Sequence, residues 1–383
     1  MKTLNRALRL MMAGAALSPL LVLSVPAQAG TWSIQSENVA SILLGVDAIG
    51  ASTLYVAGGA DGVGPIILKS TDGGKSYVQQ IDSLQTMSYM AIDASDGQHA
   101  LAGGLGAFYR FAGASYTQDG NTWRPSRDRW LASAYQDVEA ASNEHMYLIG
   151  MWSTMLDYGE GVAASSDGGR TFYYFDWGMD TSARYGSFIS PAVGFIAGGE
   201  WPDDSLSRVG GGDYRFSQHV RIPGEAMPER AGATGYRATI AKTVNGGESW
   251  ELLFDDYDRF YLNQIEFTDE LNGWVVAEGD EGAYILGTHD GGYTWTEQHM
   301  QVAGSLMALK MVNAQEGWAG GATITPTGFK SLLLHTTDGG NTWVEHPETL
   351  RYWIMNIDTL PDGRAWAVAL NPASMFSILQ YVP

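Results

Sequence analysis

A hydroxyl residue, a spacer, Asp or Asn, glycine, then Ser or Thr and an aromatic recur six times along this chain. The copies are Ser70–Tyr77, Thr117–Trp123, Ser165–Phe172, Thr243–Trp250, Thr288–Trp295 and Thr336–Trp343. Their anchors are Asp72, Asp119, Asp167, Asn245, Asp290 and Asp338, separated by 47, 48, 78, 45 and 48 residues. A step near 47 accommodates four short strands with their turns, which is one propeller blade, and a repeat of that period fixes the architecture. The long step is one blade plus roughly 30 inserted residues.

The chemistry of the string explains why it repeats. An Asp carboxylate can accept hydrogen bonds from backbone N–H groups one or two residues on and close a tight turn. Paired glycines supply positive φ. The flanking hydroxyl and aromatic residues suit strands. Each copy therefore reads as a hairpin whose aromatic packs back onto a neighbour. It resembles the Asp-box, or bacterial neuraminidase repeat. The second copy is one residue shorter between Asp119 and Trp123, so its turn is expected to differ. Asn245 keeps the acceptor and loses the charge.

A second periodic signal precedes most boxes. It is an apolar, glycine-punctuated strand: Thr53–Gly58, His99–Gly103, Val193–Gly198, Gly273–Ala277, Gly317–Gly320 and Ala365–Val368. This is the expected second strand of each blade, with small residues letting neighbouring blades approach around a central channel. The last unit, 351–383, has three strand-like runs and no box. Gly30-Thr31-Trp32-Ser33-Ile34 looks like the strand that follows a box and supplies the missing fourth. The expected fold is all-β: one seven-bladed β-propeller over 30–383, with the N-terminal strand closing the last blade and the free sheet edges removed.

Residues 1–29 stand apart. Lys2, Arg6 and Arg9 precede an apolar stretch from Leu10 to Val25, and Ala27-Gln28-Ala29 is a small-x-small cleavage site, so a signal peptide and export to the periplasm or beyond the cell are expected. No other segment is long and apolar enough to span a bilayer, so no membrane insertion is expected after cleavage. The chain has no cysteine, which excludes disulfides, thiolate metal sites and a lipid anchor on Cys. Stability must come from a large core. The net charge of −20 argues against nucleic acid and anionic membranes, because phosphate binding needs a basic surface. The seven histidines show no metal spacing. No calcium loop, Gly-x-Ser-x-Gly or phosphate loop occurs. No cofactor or metal is expected.

Extra length falls between the second and third strands of blades, on the face opposite the boxes. Blade three carries 152–160, blade four about 201–236, and blade six Thr323 to Phe329. Binding sites gather on variable loops held by a rigid scaffold. The expected contact residues are Trp152, Asp157, Tyr158, Trp201, Arg208, Tyr214, Arg215 and Arg221. A solvated loop with weak local ion pairs is the plainer account of the same polar residues.

Asp-boxes occur in sialidases. Val220-Arg221-Ile222-Pro223 looks like the Arg-Ile-Pro motif of that family, but it follows the third box instead of preceding the first. Glycosidases need two carboxylates across a cleft. Asp157 with Asp203 or Asp204 is the pair to test, and any catalysis here is expected to be glycoside hydrolysis. The more extensive resemblance lies elsewhere. Asn272–Gly279 followed by Ala283–Trp295, and Glu316–Gly320 followed by Leu333–Asp338, resemble the repeat of the photosystem II stability/assembly factor family. That resemblance covers most of 30–383, is strongest in 257–347, and implies a seven-bladed propeller that binds proteins during assembly of a membrane complex without catalysis. The expected function is a non-enzymatic, protein-binding propeller of the cell envelope. The alternative is a carbohydrate-binding or sialidase-like glycoside-cleaving propeller.

Overall fold

A computed structural model describes residues 30–60, 64–81, 88–107, 113–127, 132–153, 158–200, 235–257, 259–326, 328–347 and 350–383. Residues 31–383 form one compact unit, and every regular element among the described residues is a β-strand. The strands sort into four-stranded antiparallel units. Blade one runs Ile42–Ala48, Leu54–Ala60, Gly64–Ser70 and Val78–Gln79. Blades two to six start at Ser88–Ala94, Ala132–Glu139, Ser182–Phe188, Phe260–Phe267 and Gly304–Met311. Blade seven takes Trp353–Thr359, Ala365–Leu370 and Phe376–Val382, and its fourth strand is Thr31–Ala40. Each first strand contacts the next, and the last contacts the first, so the ring closes. Blades two and three also fuse at one end, where Leu105, Gly106 and Ala107 pair with Ala134, Ser133 and Ala132.

The N-terminal strand closes the last blade, as expected. Thr31 pairs with Val382 and Trp32 with Tyr381. The Trp32 indole is buried, edge-on to Trp318 at 5.4 Å and 5.6 Å from Tyr381. The chain's two ends are thereby sewn into one sheet, and blade six's core is joined to the same seam.

Each box is a side-chain-built turn between the third and fourth strands. In the first, the Ser70 hydroxyl donates to Asp72 at 2.9 Å and accepts from Gly74 N at 2.8 Å. Asp72 Oδ1 accepts Lys75 N at 3.0 Å and Ser76 N at 2.9 Å, and Ser76 Oγ donates to Oδ2 at 2.5 Å. The carboxylate thus reaches three and four residues on, further than the expected one or two. Gly73 and Gly74 sit at φ of 79° and 93°, where a Cβ would be strained. The shorter second box reaches two and three residues on, from Asp119 to Asn121 N and Thr122 N at 2.9 and 2.6 Å. Asn245 keeps the Ser249 N bond at 3.0 Å and turns its amide to donate to Ser249 Oγ at 2.9 Å.

The second strands anchor the boxes of the next blade. Tyr55 donates to Gly120 O at 2.9 Å, Trp274 to Gly339 O at 3.2 Å and Trp366 to Gly73 O at 3.1 Å. Box aromatics reach back the other way: Trp123 lies edge-on to Tyr55 at 5.9 Å, and Trp343 bonds Gln298 at 3.2 Å. Some second-strand glycines let neighbouring blades approach, as expected: a Cβ on Gly103 would meet Val138 at 2.6 Å and one on Gly320 would meet Ile354 at 2.7 Å, both in the next blade, while the glycine that follows each acts within its own blade. A Cβ on Gly104 or Gly321 would run into the carbonyl of Ser88 or Ser305, on the first strand of its own blade.

Trp32→Ala should cost about 3–5 kcal/mol, the range for a buried aromatic, read as a lowered urea midpoint. Asp167→Ala should cost about 1–2 kcal/mol and Asp167→Asn less than about 1 kcal/mol, because the amide keeps the acceptor. Equal losses for the two Asp167 variants would show that charge, not the turn's hydrogen bonds, carries the box.

Candidate functional site

The first strands carry the most regular polar feature of the protein. Each is kinked by a bulge, at Leu44, Met90, Gln136, Arg184, Asn263, Met307 and Met355. Three residues on from each stand Asp47, Asp93, Glu139, Ser187, Glu266, Lys310 and Asp358. Four of these side chains accept a backbone N–H from the next blade. Asp93 takes Ala140 N at 2.6 Å, Glu139 takes Phe188 N at 2.9 Å, Ser187 takes Phe267 N at 2.9 Å, and Asp358 takes Ala48 N at 2.6 Å. Asp137 and Gln264 add Gly186 N at 2.9 Å and Leu309 N at 2.7 Å. Lys310 lies 3.2 Å from Glu266 and 3.9 Å from Asp358.

These groups feel one another across the channel, blade two's Asp93 acting on Lys310 of blade six. Burial lifts the carboxyls of Asp47, Glu139, Glu266 and Asp358 above their ordinary range, with neighbouring carboxylates adding to it, and lifts Asp137 to about 7. Glu266, then Asp358, hold Lys310 charged. The Lys310 side chain still exposes 36 % of its surface, so the channel is wet and water screens these charges. Among the described residues, no group of three or more His, Asp or Glu is placed to hold a metal ion. The ring was missed in the sequence, although a signal exists: an apolar–acidic–small triplet, such as Val46-Asp47-Ala48, Ile92-Asp93-Ala94 and Val138-Glu139-Ala140, recurs ahead of the boxes.

The second concentration of chemistry lies at the base of the blade-four insertion. Glu200 and Arg237 pair across its two ends. The Arg237 guanidinium bridges Asp180 at 2.5 Å and Asp255 at 2.8 Å, and covers the Tyr257 ring at 4.6 Å. Tyr236 stacks on Tyr261 and donates to Asp280 at 3.3 Å. Arg184 is 6 % exposed and lies 5.2 Å from the Tyr261 ring, with no hydrogen-bond acceptor at Nε or Nη1. Blades four and five thus bury a cluster of tyrosines and arginines beside the strand ends Glu200 and Arg237.

Of the residues expected to make contacts, Asp157, Trp201, Arg208, Tyr214, Arg215 and Arg221 lie outside the described residues, as do the Tyr158 side chain and the alternative's carboxylates Asp203 and Asp204. Trp152 is 7 % exposed, packs 5.1 Å from Tyr174 and lies against Gly159. Its ring area is therefore spent on the blade-three core. Blade six holds no loop insertion: Thr323, Ile324 and Thr325 pair with Lys330, Phe329 and Gly328, so the extra residues lengthen a hairpin. The strand pattern accommodates them because both arms grow equally.

Residues 244–350 match the sequence profile of a family described as photosynthesis system II assembly factor YCF48. A structure of YCF48 bound to D1 peptide shares 14 % identity and a TM-score of 0.59, over 94 % of this chain and 98 % of that one. YCF48 from Cyanidioschyzon merolae shares 12 % and 0.51, over 93 % and 99 %. Over 244–350 the chain is thus similar to the photosystem II assembly factor family, and its fold is that of a β-propeller. The fold is also that of a polysaccharide lyase, ulvan lyase, bound to a sulfated oligosaccharide, at 11 % identity and a TM-score of 0.53 over 87 % and 90 %. No curated protein sequence matches the chain.

Two opposite pH dependences follow from the two carboxylate sets. Hydrogen bonds led by Ser76 hold Asp72 at about 2, so the box contribution is present above the ordinary Asp range and is lost as pH falls through about 2. The channel carboxyls are raised, so their contribution is present below the ordinary range and is lost as pH rises through about 7 for Asp137. The thermal midpoint should therefore peak between about pH 4 and 5. Lys310→Met should lower stability by about 2 kcal/mol at neutral pH, less than a dry pair would lose, because water reaches the channel. Calorimetry across pH checks both, and a midpoint rising from pH 5 to 8 would contradict the channel assignment.

Proposed function

We propose that this protein is a non-enzymatic propeller that binds a protein partner in the cell envelope, with residues 1–29 removed on export. The observation that carries the reading is the match of residues 244–350 to a family of assembly factors. A member of that family is known bound to a peptide, which supports a protein ligand for this chain. The insertion face is the contact surface in this reading. Its contact residues in this reading are those of 201–235, because Arg184, Tyr236, Arg237 and Tyr261 are buried like Trp152. Aromatic and arginine side chains are the residue types that most often anchor protein interfaces.

The second reading is a glycan-binding or glycoside-cleaving propeller, with Asp157 and Asp203 or Asp204 as its carboxylates. It draws on the ulvan lyase likeness, which is one of fold.

Because Glu200 and Arg237 are strand partners, a short turn can replace residues 203–233 without moving either strand. The expected result is an unchanged thermal midpoint and loss of the partner captured from an envelope extract by the full chain. Unchanged capture would sink the protein-binding reading at this face. A glycan array and a reducing-sugar assay test the second reading, and activity that survives Asp157→Asn with Asp203→Asn would reject those carboxylates.

A further inference from the structure

The seam hydrogen bonds account for most of the channel carboxylates, and one is left over. Asp93, Asp137, Glu139 and Asp358 each hold an N–H of the next blade, and Glu266 holds Lys310. Asp47 does neither. The N–H that blade two would offer it, Ala94 N, is bonded to Asp93 at 3.0 Å. Asp47 is 8 % exposed; no N–H or cation reaches its Oδ2, and its carboxyl shares a hydrogen bond only with another acid, Asp358. It lies beside Asp358 and within reach of the fields of Asp93 and Lys310.

We infer that the channel is a binding site for a second ammonium group, carried by a small polyamine or by a lysine side chain of a protein partner. The charge balance calls for one. Lys310 is the only cation at the seven ring positions, and it faces Asp47, Asp93, Asp137, Glu139, Glu266 and Asp358. Its ammonium, 3.2 Å from Glu266 and 3.9 Å from Asp358, shows that the wall accommodates this group. The carboxylates are too dispersed to chelate a metal ion, whereas an ammonium needs only two or three separated acceptors for its three donors. Water-sized space adjoins Lys310, so the ring is not packed dry.

Protons compete for the same oxygens. The neutral partners at this level, Ser187 and Gln264, do not titrate. Raising the pH removes protons from Asp47, Asp137, Glu139, Glu266 and Asp358 and leaves Lys310 charged, so an ammonium ligand binds more tightly at higher pH.

The test is calorimetric titration of the full chain with spermidine at low ionic strength, at pH 5 and pH 8. Binding should be roughly tenfold tighter at pH 8 and should raise the thermal midpoint. Asp47→Asn should weaken it, and Asp47→Asn with Asp137→Asn should abolish it. Both variants should stay folded, since each removes like-charge repulsion; if the double variant fails to fold, Asp47→Asn alone decides. Glu248→Gln with Glu270→Gln removes two exposed carboxylates and controls for attraction to the acidic surface. A lysine peptide and its acetyl-lysine counterpart form the second arm. Binding of spermidine assigns a free polyamine, and binding of the lysine peptide alone assigns a partner's side chain. Binding of neither, or equal loss in the surface control, overturns the inference.

Discussion

The seam between neighbouring blades is the constraint on which the structure depends. A propeller blade buries its two faces only against other blades, so the ring must close before any blade is stable. Here the closure is specified twice. Near the axis, side chains of one first strand accept backbone N–H groups of the next: Asp93 to Ala140, Glu139 to Phe188, Ser187 to Phe267 and Asp358 to Ala48. Further out, Tyr55, Trp274 and Trp366 donate to carbonyls in the neighbouring boxes. Hydrogen bonds to charged acceptors contribute about 1.5–3 kcal/mol each when sheltered, and both sets also fix the angle between blades.

This arrangement explains why the boxes are so uniform. A box was expected to form a turn, and it does, through one carboxylate and one hydroxyl. It also presents its glycine carbonyls to the aromatic of the preceding blade. Replacing that turn with a different hairpin would move the acceptor as well as the loop. Box four shows what the site tolerates: Asn245 supplies the same acceptor geometry without charge. The charge is therefore dispensable and the geometry is not.

The fold was legible because its signals are local and repeated. Box spacing gave the blade length, and the Trp32 string resembled the strand after a box closely enough to identify it as the closing piece. The channel ring was harder to read. Its residues are single polar positions inside apolar strands, set in place by a bulge that the sequence does not announce. Asp47 and Glu266 look like ordinary surface acids until seven first strands are brought side by side. Trp152 is ambiguous in the opposite direction. An aromatic beside an insertion reads as a contact residue, yet Gly159 leaves a flat surface against which the indole packs. The blade-six residues Thr323 to Phe329 read as inserted loop length, whereas Thr323–Thr325 and Gly328–Phe329 pair across the two arms of a hairpin.

Acid groups at the axis carry a cost that an apolar seam would avoid, since burial lifts five of these carboxyls above their ordinary range. Blades four and five show that the seam does not require them: Ser187 holds Phe267 N at 2.9 Å with no charge at all, and Gln264 does the same for Leu309 N at 2.7 Å. Neutral acceptors suffice for the hydrogen bond. The negative charge retained at the other positions is therefore surplus to closure, and the place where it is least compensated is Asp47, where no N–H arrives. Structure alone accounts for an acceptor at each seam; it does not account for so many charged ones around a single lysine. That excess separates the ring's function from its architecture and directs attention to the channel as well as to the insertion face.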